Sequence, residues 1–196
     1  MPSTGRKKPS LQRLTRERWT PDDYDKVAGE LLEGSDRASA IIGAAITEDA
    51  LVDALVSRFQ KMATDDIDKL FYAETAPLQT FSAKIRIGHA MGIYGLKLRA
   101  QLDIIRTVRN AFAHSMRPLE YEHSLIKDKV ARLRQIELTE MGLSNTAPIL
   151  RGRFVANCVD LMIAFRRYSL LNHGLILHSL SDWEDGVPPP LLHKST

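Results

Sequence analysis

Residues 98 to 114 read Leu98-Arg99-Ala100-Gln101-Leu102-Asp103-Ile104-Ile105-Arg106-Thr107-Val108-Arg109-Asn110-Ala111-Phe112-Ala113-His114. At roughly 100° per residue, Leu98, Leu102, Ile105, Val108 and Phe112 fall on one broad face, the signature of an amphipathic helix. Arg109 falls inside that apolar arc. A guanidinium directed inward keeps its charge and needs an acceptor, so it points to a carboxylate on another helix.

The same period recurs on both sides. Ala38, Ile41, Ile42, Ala45, Val52, Leu55, Val56 and Phe59 recur at steps of three and four, predicting one long helix that begins after Ser35. Glu48 and Asp49 lie along or beside its stripe and are the candidate acceptors for Arg109. A shorter helix is expected from Pro21, behind the N-cap Thr20, to Glu33, with Gly34 stopping it. Thr64-Asp65-Asp66 opens another through Phe71, and Thr80 opens one that Gly95 is expected to end. Gly88 and Gly92, one turn apart inside it, suggest close backbone approach to a neighbouring helix, because an interior glycine otherwise costs about 1 kcal/mol. Further helices are expected over residues 122–136 and 148–171. Nothing alternates at period two and no repeat of fixed period is present. The fold class is therefore all-α, a single compact multi-helix bundle.

Composition agrees. The 196 residues are 44% hydrophobic and 26% charged, as in a folded soluble protein, and one cysteine excludes an internal disulfide scaffold or a cysteine-rich zinc site. No run approaches the ~20 apolar residues of a membrane-spanning helix, and the most apolar stretch, Phe154 to Phe165, is interrupted by Asn157 and Asp160. The absence of a signal-type apolar run after Arg6-Lys7-Lys8 suggests a cytoplasmic protein.

The net charge of +3 is unevenly placed. Residues 1–18 hold Arg6, Lys7, Lys8, Arg13, Arg16 and Arg18 against Glu17, a net +5, which leaves −2 for the rest. The expected organisation is a basic disordered leader over 1–19, a helical domain over 20–178 and a proline-rich flexible tail over 179–196. The leader is either an arm that contacts DNA or RNA through phosphate charge or a solvated segment. Trp183 is a candidate for docking the tail back onto the body.

Asn110 and His114 share a more polar face with Asp103, and His114 stands at a helix C-terminus, where the dipole favours its protonated form. Two readings stay open. In one, Arg109 ties helices together and His114 caps its helix. In the other, histidine moves a proton during attack by a 2′-hydroxyl while arginine stabilises the phosphate, which is RNA cleavage without metal. Replacing Arg109 by Ala is expected to cost a few kcal/mol by stranding a buried carboxylate.

Three segments taken in order, Ser35-Asp36-Arg37-Ala38-Ser39-Ala40-Ile41-Ile42, Phe81-Ser82-Ala83-Lys84-Ile85 and Ile104 to Ser115, resemble the mannitol operon repressor family over roughly residues 30–170. The resemblance implies an all-helical bacterial protein among transcriptional regulators, without an obvious helix-turn-helix, acting through a protein partner or weak nucleic-acid contacts. Arg109-Asn110-Ala111-Phe112-Ala113-His114 also resembles the Arg, polar, three-residue, His signature of the HEPN superfamily. That resemblance implies catalytic roles for Arg109 and His114, an orienting role for Asn110, and a site completed by a homodimer partner.

Other signals are bland. Cys158 sits among Val155, Val159 and Met162 as a core residue, and His89, His123, His173, His178 and His193 are scattered, so no metal site is expected. No Gly-rich phosphate loop or dinucleotide fingerprint is present, so no cofactor is expected. Arg99, Arg106, Arg132 and Arg134 are interleaved with acids as solvated faces are. Arg166-Arg167 beside Tyr168 fits a partner patch or a solvated helix end equally.

Overall fold

A computed structural model describes residues 24–136, 139 and 147–172. The expected leader and tail, together with Thr20, Pro21 and Trp183, lie outside the described residues. Within them are seven helices and no strand: α1 (Tyr24–Leu32), α2 (Asp36–Val56), α3 (Thr64–Phe71), α4 (Phe81–Ala90), α5 (Leu96–His114), α6 (Ser124–Val130) and α7 (Ile149–Asn172).

The spine is the pairing of α2 with α7. Asp36 meets Arg151, Thr47 meets the Cys158 carbonyl and Asp49 meets Arg166, so the two helices run parallel although some 115 residues separate the partners. Small residues on α2 let them approach: Ala40, Ala44 and Ala50 are fully buried, and a Cβ at Gly43 would stand 3.2 Å from Cys158 Sγ. Thr47 Oγ1 lies 2.9 Å from the Gly43 carbonyl and 3.2 Å from that of Cys158, so its hydroxyl is satisfied in the seam. α4 and α5 pack on α2 and on each other, α6 bridges α5 and α7, and α1 covers one end of the α2–α7 pair. Phe112, Tyr121 and Phe154 form a tilted aromatic row from α5 to α7, with ring centroids 5.0 and 5.5 Å apart.

Helix starts follow the local chemistry. Ser35 Oγ accepts the Ala38 N–H and Thr80 Oγ1 accepts the Ala83 N–H, each at 3.1 Å. Several helix ends differ from expectation. α2 stops at Val56 rather than running to Phe59; Ser57 caps it, and its hydroxyl donates to the Ala54 carbonyl at 2.7 Å. α4 stops at Ala90, short of Gly95, because Gly92 takes φ +68° and the Gly92 and Ile93 N–H groups turn back to the carbonyls of His89 and Gly88. Gly92 is thus a helix terminator. Gly88 does meet a close neighbour, though from a loop and not a helix: a Cβ there would stand 2.7 Å from the hydroxyl oxygen of buried Tyr94, which donates to the Ile85 carbonyl. α6 covers only seven residues of the expected 122–136, because the next turn bonds elsewhere. The Arg134 N–H donates to Gln101 Oε1, while the Arg134 and Ala131 carbonyls accept from Asn157 and Arg153.

Candidate functional site

Arg109 points between helices, as its place in the apolar arc requires. Its Nη2 lies 3.2 Å from Glu48 Oε2, and Lys84 Nζ lies 2.6 Å from the other oxygen, so one carboxylate on α2 holds a cation from α5 and one from α4. Lys84 is the most enclosed of the three, with a side chain 6% exposed against 19% for Glu48 and 30% for Arg109. Asp49 does not join them; it faces Arg166 on α7 at 3.6 Å. Sequence reasoning missed Lys84, although its place beside Phe81 and Ile85 on the buried side of α4 was a readable signal. With Lys84 also on Glu48, removing Arg109 leaves that carboxylate paired, and the expected cost falls from a few kcal/mol to about 1 kcal/mol.

His114 is exposed at the last residue of α5, and Asn110 is half-buried one turn earlier. Neither side chain bonds to another described residue. Five residues of helix place Arg109 and His114 roughly 140° apart around α5, with Arg109 turned to Glu48 and His114 exposed. Asp103 draws Arg99 and Arg106 along the outer face of α5, at 3.9 and 3.4 Å. Arg6, Lys7, Lys8, Arg13, Arg16 and Arg18 lie outside the described residues.

A second constellation gathers where α2 and α7 begin. Asp36 accepts from Nε and Nη2 of Arg151 and, through its other oxygen, from the Tyr121 N–H at 2.8 Å. Arg151 Nη1 also donates to the carbonyls of Leu32 and Gly34, sealing the end of α1. Ser39 Oγ lies 3.0 Å from the hydroxyl oxygen of Tyr121, whose burial pushes its pKa up. Arg37 donates to the carbonyls of Ser115 and Arg117 at 2.8 and 3.1 Å, closing the chain as it leaves α5. The Ser35–Ser39 run thus fastens three elements. Outside this knot lies a cleft of about 730 Å³, walled by the start of α2, the α5–α6 connection and the start of α7. Its mouth is apolar in part: lining residue Met116 is 99% exposed, and Pro118 and Pro148 also line the cleft. Arg37 and Arg117 stand exposed beside them.

Cys158 is fully buried and desolvation pushes its thiol up to about 12, so it stays neutral in the core. Among the described residues no group of three or more His, Cys, Asp and Glu is placed to hold a metal ion, and no helix is long and apolar enough to cross a membrane.

Comparison with protein-family models and with curated proteins finds no match. A solved structure does match. Its fold is similar to that of MtlR. The likeness, to the MtlR chain of the MtlR–HPr complex from Escherichia coli, covers 72% of this chain and 97% of that one, with a TM-score of 0.56 and 14% identity. At that identity the likeness is one of fold. The all-helical architecture implied by the mannitol operon repressor resemblance is thus the architecture found.

Proposed function

We propose that this chain is a helical regulator, of the mannitol operon repressor kind, that acts in the cytoplasm by binding another protein. The observation that carries the reading is the cleft at the starts of α2 and α7, where Met116 exposes a large apolar side chain over a rigidly bonded base. Exposed apolar residues ringed by charge are the usual composition of a protein-docking surface. The fold likeness supports the same reading, since the similar MtlR was solved in complex with HPr. The closed Glu48–Lys84–Arg109 cluster supports it too, because a guanidinium bound to a carboxylate is a poor phosphate clamp. Isothermal titration against Escherichia coli HPr tests the reading. A saturable complex that Met116→Asp abolishes is expected. Absence of binding at millimolar HPr would exclude HPr, and an unchanged affinity in Met116→Asp would remove the cleft from the interface.

A second reading, a metal-independent ribonuclease of HEPN type, is favoured by the exposure of His114 just beyond Asn110, where a second copy has room to complete a site. It requires the folded protein to cut a mixed RNA pool in the presence of chelator, with His114→Ala abolishing cleavage. An intact pool at high protein concentration would eliminate it.

A further inference from the structure

The α5–α6 connection supplies a whole wall of the cleft, since residues 116–122 all line it. It is fixed at both ends. The Ser115 N–H bonds to the Ala111 carbonyl and closes α5, while Tyr121, 2% exposed, is held by Asp36, by Ser39 and by the rings of Phe112 and Phe154. Between these points the chain is bare. No backbone group from Met116 to Leu119 bonds to another backbone group among the described residues. Within residues 116–120 only Leu119 turns inward, half-buried against the core.

One side chain spans that gap. Arg37 Nη2 donates to the carbonyls of Ser115 and Arg117 at 2.8 and 3.1 Å. Among the described residues, the bond to Arg117 is the only hydrogen bond that ties residues 116–120 to a distant part of the chain. Ser115 Oγ adds a local turn, accepting from the Arg117 N–H at 3.3 Å and donating to the Arg117 carbonyl at 2.8 Å. Pro118 has a fixed φ and confines Arg117 before it to extended backbone, so the segment has little freedom left to lose. The base of Arg37 is itself fixed: Ser35 caps the first turn of α2, and neighbouring Asp36 binds Arg151. Its cation stands at the C-terminal end of α5, where the helix dipole favours positive charge.

We propose that Arg37 is the latch of the cleft, a positioning residue that holds Met116–Glu120 in place as a preformed wall. A short segment, stiffened by proline and pinned at both ends, needs little to order it, and one guanidinium shared between two carbonyls supplies that. A wall ordered in advance raises the affinity of whatever docks against it, because the ordering is no longer a cost of binding. That consequence, unlike the latch itself, rests on the partner reading above.

Backbone 15N relaxation of the free protein reads the latch without a partner. In the parent, the amides of Met116, Arg117, Leu119 and Glu120 should show order parameters of about 0.85, the value of rigid backbone, although no backbone ladder holds them. In Arg37→Ala they should fall below about 0.6, with Tyr121 and the body of α5 unchanged. Arg37→Lys, whose ammonium can also donate to both carbonyls, should restore part of the order. Glu120→Ala, at an exposed side chain of the same segment, should keep the parent's values. A general loosening of the fold would lower the order of α2 and α5 as well, so confinement of the change to residues 116–120 separates a latch from a scaffold role. Isothermal titration with Escherichia coli HPr reads the consequence: Arg37→Ala should bind about tenfold more weakly, the scale of one hydrogen bond to a charged group. If the parent does not bind HPr, the partner reading falls and the relaxation data still decide the latch. Equal HPr affinity in parent and Arg37→Ala would overturn the wall's contribution to binding. Parent order parameters already below about 0.6 across residues 116–120, or values in Arg37→Ala equal to the parent's, would overturn the proposal.

Discussion

Replacing Glu48 by Ala isolates what one shared carboxylate contributes. Lys84 is 6% exposed and its Nζ lies 2.6 Å from Glu48 Oε1, whereas Arg109 is 30% exposed and 3.2 Å from Oε2. Without the carboxylate Arg109 reaches water and loses little, but Lys84 is left charged inside the helix interface. Breaking one side of a buried pair costs about 3–5 kcal/mol. The flexible lysine stem relieves part of this, which places the expected loss near 3 kcal/mol. For a chain of this size that corresponds to a fall in Tm of roughly 6–12 °C. Differential scanning calorimetry and urea unfolding read it directly. The companion variant Glu48→Met/Lys84→Met removes both charges while filling the space, and it should recover to within about 1 kcal/mol of the parent. If the double variant is as unstable as Glu48→Ala, the loss is one of packing and the stranded charge is not its cause. A single variant melting within a degree of the parent would refute the enclosure of Lys84.

Other outcomes follow from the same geometry. Gly88→Ala drives a Cβ to 2.7 Å from the Tyr94 hydroxyl and displaces its bond to the Ile85 carbonyl, so urea unfolding should report a loss of about 2–3 kcal/mol despite the better helix former. Asp160, 2.9 Å from Arg134, has its pKa raised by burial, with Arg134 opposing. A carboxyl whose folded pKa lies above its unfolded value stabilises most below the unfolded value and loses that contribution as pH rises through the folded one. Asp160→Asn should therefore be neutral or stabilising at pH 7 in thermal melts. Native Cys158 should resist a thiol-reactive dye until denaturant is added, at a rate set by unfolding. Deleting residues 1–18 should sharply reduce any salt-sensitive binding to nucleic acid in a filter assay, and unchanged binding would move that contact to the body.

Much of the architecture is written locally, and so it could be read. Apolar spacing exposes the inward faces of α2 and α5, and Ser35 and Thr80 mark helix starts through bonds to residues three positions on. The Arg109–Glu48 contact was legible for the same reason, since an arginine within an apolar arc must find an acid and few acids face inward. Ends and registers were harder. Gly92 terminates α4 by adopting a positive φ that composition alone does not distinguish from the extended Gly95. The turn after α6 depends on bonds from Gln101, Arg153 and Asn157, none of them near in sequence. The Asp36–Arg151 pair has no local signal, because periodicity within one helix carries no information about which residue of another it meets. The cleft, assembled from three such distant pieces, had no signature at all.

The parallel spine sets an order on folding. α2 is made early and α7 late, and the residues that join them are separated by some 115 positions. During synthesis the alanine-lined seam of α2 therefore waits without its partner until most of the chain has emerged, while α4 and α5 can pair with their near neighbours at once. Closing so long a loop costs entropy before any seam contact repays it, which slows the final step and leaves apolar surface open meanwhile. A nascent chain stalled before Phe154 is thus a natural client for chaperones, and the commitment to the native state waits on α7.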